Sequence, residues 1–170
     1  AIGFQALAGN SSGQLNTAIG YNALVSNVAG DKNVALGYQA GEDYNPTANF
    51  GNSVFVGHQA GLNVSTARKA TIIGNAAVGI GVMTGHENTA IGNEAGYDLT
   101  GGASNTLIGV SAGANITDGD NNSLVGKAAG FSVTTGGTNV AMGGDSMYYG
   151  TTVSQSVAIG KNAGAGDTGN

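Results

Sequence analysis

Apolar residues occur along this chain in short runs of three or four, most of them bounded by Asn or Ser on one side and by Gly on the other. Residues 16–24, 33–41 and 88–96 repeat one order: an Asn, a run rich in Thr, Val, Ile and Ala, a Gly, and an Ala three positions later. Runs of this length and composition are typical of β-strands. The pattern therefore predicts a repeat protein with one short strand in each repeat.

A central glycine marks ten copies of this repeat. Seven of the nine intervals between these glycines are 17 residues long, and insertions at 42–50 and 79–84 lengthen the other two to 20 and 18. A 17-residue unit is too short for a helical hairpin, and each Gly in a helix costs about 1 kcal/mol relative to Ala. The central glycines are Gly3, Gly20, Gly37, Gly57, Gly74, Gly92, Gly109, Gly126, Gly143 and Gly160.

We therefore predict an all-β fold, a parallel β-solenoid of about ten 17-residue coils stacked about 4.8 Å apart. Residues 1–170 form one repeat domain, interpreted as a segment of a longer fibre. Equal repeat positions should stack into columns. The central glycines are expected to turn the chain with positive φ or to admit a neighbouring backbone. The Ala column indicates a narrow interior, the leading Asn column predicts an amide ladder, and a weaker β-like run at 115–117 suggests a second strand.

Both residues before each central glycine are apolar, as in Ala18 and Ile19 or Leu107 and Ile108. Because neighbouring strand residues point to opposite faces, one faces the coil interior and the other needs a cover. The simplest cover is the same face of other copies of the chain, and the alternatives are an internal second sheet or an exposed patch. The residues predicted to form the core or this oligomer face are Ile19, Leu36, Phe55, Val56, Ile73, Ile91, Ile108, Val125, Met142 and Ile159.

Composition and charge exclude several classes of function. The net charge is −5, and only five Lys and Arg are scattered along the chain, so no nucleic-acid partner is predicted. No apolar run approaches the roughly 20 residues of a membrane span, so we expect no membrane insertion by this segment. The chain has no Cys, which excludes disulfides and thiolate metal sites. Its 32 glycines do not fall at every third position, which excludes collagen.

The sequence Ser-Val-Ala-Ile-Gly at 156–160 and the Asn-Thr-Ala-Ile-Gly variants at 16–20 and 88–92 resemble the head repeats of trimeric autotransporter adhesins. Similar repeats occur in phage tail-fibre-like proteins. The resemblance covers all ten copies. It implies a left-handed β-roll, a homotrimer or filament, and an extracellular place on a cell surface or virion fibre. The repeat is longer than the usual adhesin-head unit, and the 170 residues contain no neck, stalk or membrane barrel, so outer-membrane attachment is not implied.

The repeat accounts for the sequence motifs that otherwise suggest an enzyme or a cofactor site. Ser111 lies in a G-x-S-x-G pattern, but its column elsewhere holds Asn, Gln or Glu, so no catalytic triad is predicted. Residues 164–169 match G-x-G-x-x-G without a strand-helix-strand context. His58 and His86 lack metal-ligand spacing and are interpreted as surface residues. No enzyme activity and no cofactor are predicted.

Two further hypotheses concern ligands, namely calcium and an ice or mineral surface. Asp118, Asp120 and Asn122 have the D-x-D-x-N opening of a calcium loop, but the rest of such a loop is missing. A regular hydroxyl column along one solenoid face would suit ice or mineral binding, although no second Thr file completes it. That column holds Ser11, Ser65, Thr100, Thr117, Thr134, Thr151 and Thr168.

The sequence favours a structural and adhesive extracellular fibre segment, a rigid rod that associates with itself and with an unknown surface receptor or glycan. The contact positions that we expect are the two insertions and the aromatic residues Tyr97, Phe131, Tyr148 and Tyr149. An ice- or mineral-binding solenoid and the receptor-binding shaft of a phage tail fibre are the alternatives.

Overall fold

The computed structural model describes residues 1–47 and 50–166, and the β-strands within them have three residues each. Each strand occupies the run predicted before a central glycine, where β-branched and aliphatic residues favour extended backbone. The strands are β1 (Thr17–Ile19), β2 (Val34–Leu36), β3 (Val54–Val56), β4 (Thr71–Ile73), β5 (Thr89–Ile91), β6 (Thr106–Ile108), β7 (Ser123–Val125), β8 (Val140–Met142) and β9 (Val157–Ile159).

The nine strands form one parallel sheet in sequence order, β1 to β9. Equivalent repeat positions pair with one another: Ala18 lies opposite Ala35, and Ala35 lies opposite Phe55 across the 20-residue repeat. The prediction of an all-β parallel solenoid is confirmed. The truncated first copy joins through a single bridge from Ile2 to Ile19, so nine strands and eight complete turns stand where about ten coils were expected.

The second strand predicted within each repeat is wrong: in the described residues the far side of each coil consists of turns. Backbone hydrogen bonds still join the coils there, for example from Thr100 N to Thr117 O at 3.1 Å and from Thr117 N to Thr134 O at 3.0 Å. The physical reason lies in the dihedral angles after the central glycine. Asn22 and Leu24 have φ values of 55° and 51°, and alternate left-handed residues curl the backbone instead of extending it.

The central glycines have both roles that the sequence predicted. Gly109 has φ = 135°, and a Cβ placed on it would lie 2.6 Å from the backbone carbon of Gly126 in the next coil. A side chain at this position would therefore be strained and would also clash with backbone. The column of glycines lets successive coils approach closely at the end of each strand.

The leading Asn column forms the predicted amide ladder. Asn105 N donates to Asn88 Oδ1 at 2.9 Å, and Asn122 N donates to Asn105 Oδ1 at 2.9 Å. The side-chain amide of Asn105 also donates to Gly119 O at 2.7 Å. These side chains are buried, so each repeat satisfies polar groups of the coil beside it.

The core is a single cluster inside the coils, made of the middle strand residue, the Ala column, the residue that follows that Ala, and a further column that holds Tyr44, Val64, Leu99, Ile116 and Val133. Large and small residues compensate within a coil. Ala18 shares its coil with the buried Leu24, whereas Leu124 shares its coil with Gly130, where a Cβ would lie 2.6 Å from Leu124 Cδ1. Different columns therefore supply the bulky side chain in different coils, and where both of these columns are small the interior is filled by Tyr44 or Leu99.

The insertion at 42–50 contributes to this core. Tyr44 is fully buried, packs edge-to-face on Phe55 with ring centroids 4.9 Å apart, and its hydroxyl lies 3.0 Å from Ser53 Oγ. Burial raises the pKa of Tyr44 to about 12. The insertion is thus only partly available for surface contact, and Ala48 and Asn49 within it lie outside the described residues. In the insertion at 79–84, Ile80 and Val82 are exposed.

Candidate functional site

The outward side of the sheet is a regular surface that runs along all nine described strands. We define the outer sheet face as the first and third residues of strands β1 to β9, which flank the buried middle residue in every strand. Their exposure varies along the stack: Ile19 is 42%, Met142 is 46% and Ile159 is 67% exposed, while Leu36 and Ile73 are half-buried. With about 4.8 Å between strands, the face is roughly 38 Å long.

The outer sheet face contains no charged side chain in its nine described strands. Its first column holds Thr17, Val34, Val54, Thr71, Thr89, Thr106, Ser123, Val140 and Val157, and its third column holds Ile19, Leu36, Val56, Ile73, Ile91, Ile108, Val125, Met142 and Ile159. Sheet faces that meet water are normally polar. A continuous apolar stripe of this length is typical of an interaction surface.

Most residues predicted to form the core or the oligomer face lie in the third column of this face. Phe55 is the exception, because it is the middle residue of β3 and lies wholly inside the coil. A Cβ on Gly61 would lie 2.6 Å from Phe55 Cε1, so this ring occupies the space that a larger residue at position 61 would need.

The four predicted aromatic contact residues form one cluster and one separate site. Phe131 stacks on Tyr148 with ring centroids 5.0 Å apart, and Tyr148 packs edge-to-face on Tyr149 at 4.7 Å. Tyr149 is 58% exposed, and a cavity of about 540 Å³ beside it is also lined by Asp145. Tyr97 is half-buried and lies against Gly79 in another coil. These residues therefore offer an exposed ring near the last described coils.

Sequence reasoning missed a second aromatic group. Phe4, Tyr21, Tyr38 and His58 stack face to face along one edge of the rod, with ring centroids 5.1 to 5.3 Å apart. The signal was present, because each ring directly follows a central glycine and such positions superimpose in a solenoid. His58 is thus a surface residue, as predicted, but a member of a stack.

The hydroxyl column is used within the stack. Thr100 Oγ1 donates to Thr117 O at 3.0 Å, and Thr134 Oγ1 donates to Thr151 O at 3.0 Å. Ser11 Oγ donates in the same way to Val28 O at 3.3 Å. Hydroxyl protons that bond the next coil are not free to order water, which weakens the ice-binding alternative. Thr168 lies outside the described residues.

The candidate calcium residues point to different partners. Asp120 Oδ1 accepts from Ala103 N at 2.7 Å, and Asp118 Oδ1 accepts from Thr100 Oγ1 at 3.4 Å. Asn122 is buried in the amide ladder. Across residues 1–47 and 50–166, no three His, Asp or Glu side chains cluster as a metal site would require. The structure does not bring this set together.

The enzyme-like motifs lie in turns. Ser111 has φ = 54° and its N donates to Asn93 O at 2.9 Å, as the equivalent residues of other coils do. The glycine pattern at 164–169 extends beyond the described residues, which end at 166. No helix in the described part of the chain has the length and apolar character that membrane crossing requires.

Comparisons with models of protein families, with curated proteins and with solved structures found no match for this chain.

Proposed function

We propose that this chain is a structural and adhesive segment of an extracellular fibre, on a cell surface or a virion. Its coils form a rigid rod, and copies of the chain associate side by side as a homotrimer or filament. Weak contacts from each copy to a surface receptor or glycan then add through multivalency, so no single deep pocket is needed.

The observation that carries this proposal is the uncharged outer sheet face, which runs along all nine strands. Each buried CH₂ group contributes about 0.8 kcal/mol, so covering the whole third column is strongly favourable. The face lies parallel to the stacking axis, and therefore a partner can cover it only by lying alongside the rod. The number three, and a left-handed coil, follow from the resemblance to adhesin heads.

Mass measurement in solution tests the proposal. We expect a trimer or larger assembly at micromolar concentration, and attachment to cells or glycan-coated surfaces that weakens when the assembly dissociates. A stable monomer at all accessible concentrations would contradict the proposal. Thermal hysteresis at micromolar protein would instead favour ice binding.

A further inference from the structure

A small cavity of about 210 Å³ lies at the corner of the rod where the chain enters strands β3 to β5. Three neighbouring coils form it, because Lys69 N donates to Gly51 O and Glu87 N donates to Arg68 O, both at 2.9 Å. Its side chains are those of Phe50, Asn52, Arg68, Lys69, His86 and Glu87. The cavity is distinct from the outer sheet face.

Arg68 is held in place by two neighbours. Its guanidinium carbon lies 4.4 Å from the centre of the Phe50 ring, and its Nη2 lies 2.9 Å from His86 Nε2. Guanidinium groups only donate hydrogen bonds, so Nε2 is the acceptor in this contact. The Nδ1 atom of His86 is buried and has no hydrogen-bond partner among the described residues.

The charges of the cavity do not cancel. Lys69 Nζ and Glu87 Oε1 form an ion pair of 2.7 Å at the exposed rim. Arg68, by contrast, is half-buried and has no carboxylate within ion-pair distance in the described part of the chain. One uncompensated positive charge therefore remains here, in a chain whose net charge is −5. The donors of this half-buried guanidinium that do not face His86 can bind an anion.

From this geometry we infer that the cavity binds the carboxylate of an acidic sugar, with the free edge of the Arg68 guanidinium donating to it. This inference rests on the proposed adhesive function and names the ligand class of its glycan contact. Carboxylates match the planar fork of Arg in a bidentate manner. The cavity is smaller than the roughly 300–1,000 Å³ of pockets for drug-sized ligands, so it suits one sugar ring.

The net charge of the cavity favours a singly charged ligand. Lys69 lowers the pKa of Glu87, chiefly through their hydrogen bond, so the ion pair at the rim stays ionised and neutral overall, and the single charge of Arg68 is left for the ligand. A carboxylate or a sulfate ester carries one charge and balances Arg68. Asn52 and Lys69 are exposed beside it and supply donors for ring hydroxyls.

Calorimetry with the intact chain tests the inference. The probe is a tetrasaccharide of alternating glucuronic acid and N-acetylglucosamine, and its methyl ester is the uncharged control. A neutral sugar carrying one sulfate ester is the third ligand. We expect the acid to bind at least tenfold more tightly than either control. Equal binding of the ester, or preference for the sulfate ester, would overturn the assignment of a sugar carboxylate.

Variants locate the site. Arg68→Gln should weaken tetrasaccharide binding at least tenfold, whereas Lys127→Gln, which removes the same charge from an exposed position, should leave it unchanged. Arg68→Lys keeps the positive charge but lacks the planar guanidinium fork, so it should bind the tetrasaccharide with intermediate affinity. Equal losses in Arg68→Gln and Lys127→Gln would overturn the site. Thermal melts confirm folding, and solution mass separates this inference from the proposed function, since Arg68→Gln should leave the assembly intact.

Discussion

At the scale of single residues, the main finding is how many side-chain-bearing residues adopt a left-handed backbone. Leu24, Val78 and Thr138 have φ values of 51°, 47° and 60°, in columns that Gly or Asn occupy in other coils. Such a conformation costs an L-residue about 1–2 kcal/mol, and a β-branched residue is the least suited to it. Contacts made by neighbouring coils outweigh this local preference.

Thr138→Asn should stabilise the protein by about 1 kcal/mol, because Asn tolerates the left-handed region and Thr138 is exposed, so little packing is lost. Asn121 already occupies the equivalent position one coil earlier, with φ = 57°. Urea denaturation measures the change. Thr135→Asn is the control, since Thr135 is also an exposed threonine and does not have positive φ. A loss of stability at 138 would show that the strain is not local.

Tyr44 gives a prediction for alkaline pH. Its pKa is about 12 in the fold, against an ordinary 10.0, because burial disfavours the phenolate. Between those values the unfolded chain loses the proton while the folded chain keeps it, so stability falls as pH rises from 10 to 12, by about 2–3 kcal/mol. Denaturation across this range should show a smaller fall in Tyr44→Phe. Tyr38→Phe, at an exposed position, should behave like the unaltered protein.

At the scale of the repeat, one coil is a three-residue strand followed by turns, and several columns together fill its interior. Leu124 with Gly130, and Ala18 with Leu24, each place one leucine in the coil interior, but the leucine occupies a different column in the two coils. In these two coils the packing depends on the volume of the pair more than on either residue alone.

Replacing the Leu124 and Gly130 pair by the arrangement of Ala18 and Leu24 tests whether the two columns depend on each other. Leu124→Ala should destabilise the protein by about 2–4 kcal/mol through the cavity it leaves, and Gly130→Leu should destabilise it by steric clash with Leu124. The double variant recreates the pair found at Ala18 and Leu24, and it should recover about half or more of the summed loss in a double-mutant cycle. Additive losses would show that the columns are independent. Leu15→Ala, at an exposed leucine, is the control.

At the scale of the molecule, the rod has a quasi-one-dimensional organisation. Each described strand contacts only the strands before and after it in the sequence. Stability in such stacks is close to a sum over coils and their interfaces. The outer sheet face contributes less to that sum within one chain than the interior does, because its side chains are only half-buried or exposed. The proposed association between chains can therefore be tested separately from folding of the rod.

This separation gives the prediction for the whole molecule. Ile91→Lys combined with Ile108→Lys places two charges on the outer sheet face. Burying these charges against another chain is unfavourable because no opposite charge on the outer sheet face would pair with them. We expect a shift from the assembly to a folded monomer in solution, with the same circular dichroism spectrum. Val110→Lys introduces charge at a residue that is 48% exposed outside this face, and it should leave the mass unchanged. An unchanged mass in the double variant would place the interface elsewhere.

The sequence by itself determined the repeat, the position of each strand, the parallel register and the columns of Gly, Ala and Asn. It could do so because a solenoid stacks equal repeat positions, so a periodic sequence specifies its own neighbours. The interior and outward strand positions followed from the same reasoning, and Phe55, expected in the core or on the outward face, belongs to the interior.

Tertiary structure decided what depends on contacts between unlike positions. The turns that replace the second strand rest on non-glycine residues with positive φ, such as Leu24, whose local preferences do not predict that conformation. The paired filling of the interior and the cavity beside Arg68 join residues of different columns and coils. A periodic sequence specifies which residues stack, but the three-dimensional path of the coil sets which unlike residues meet.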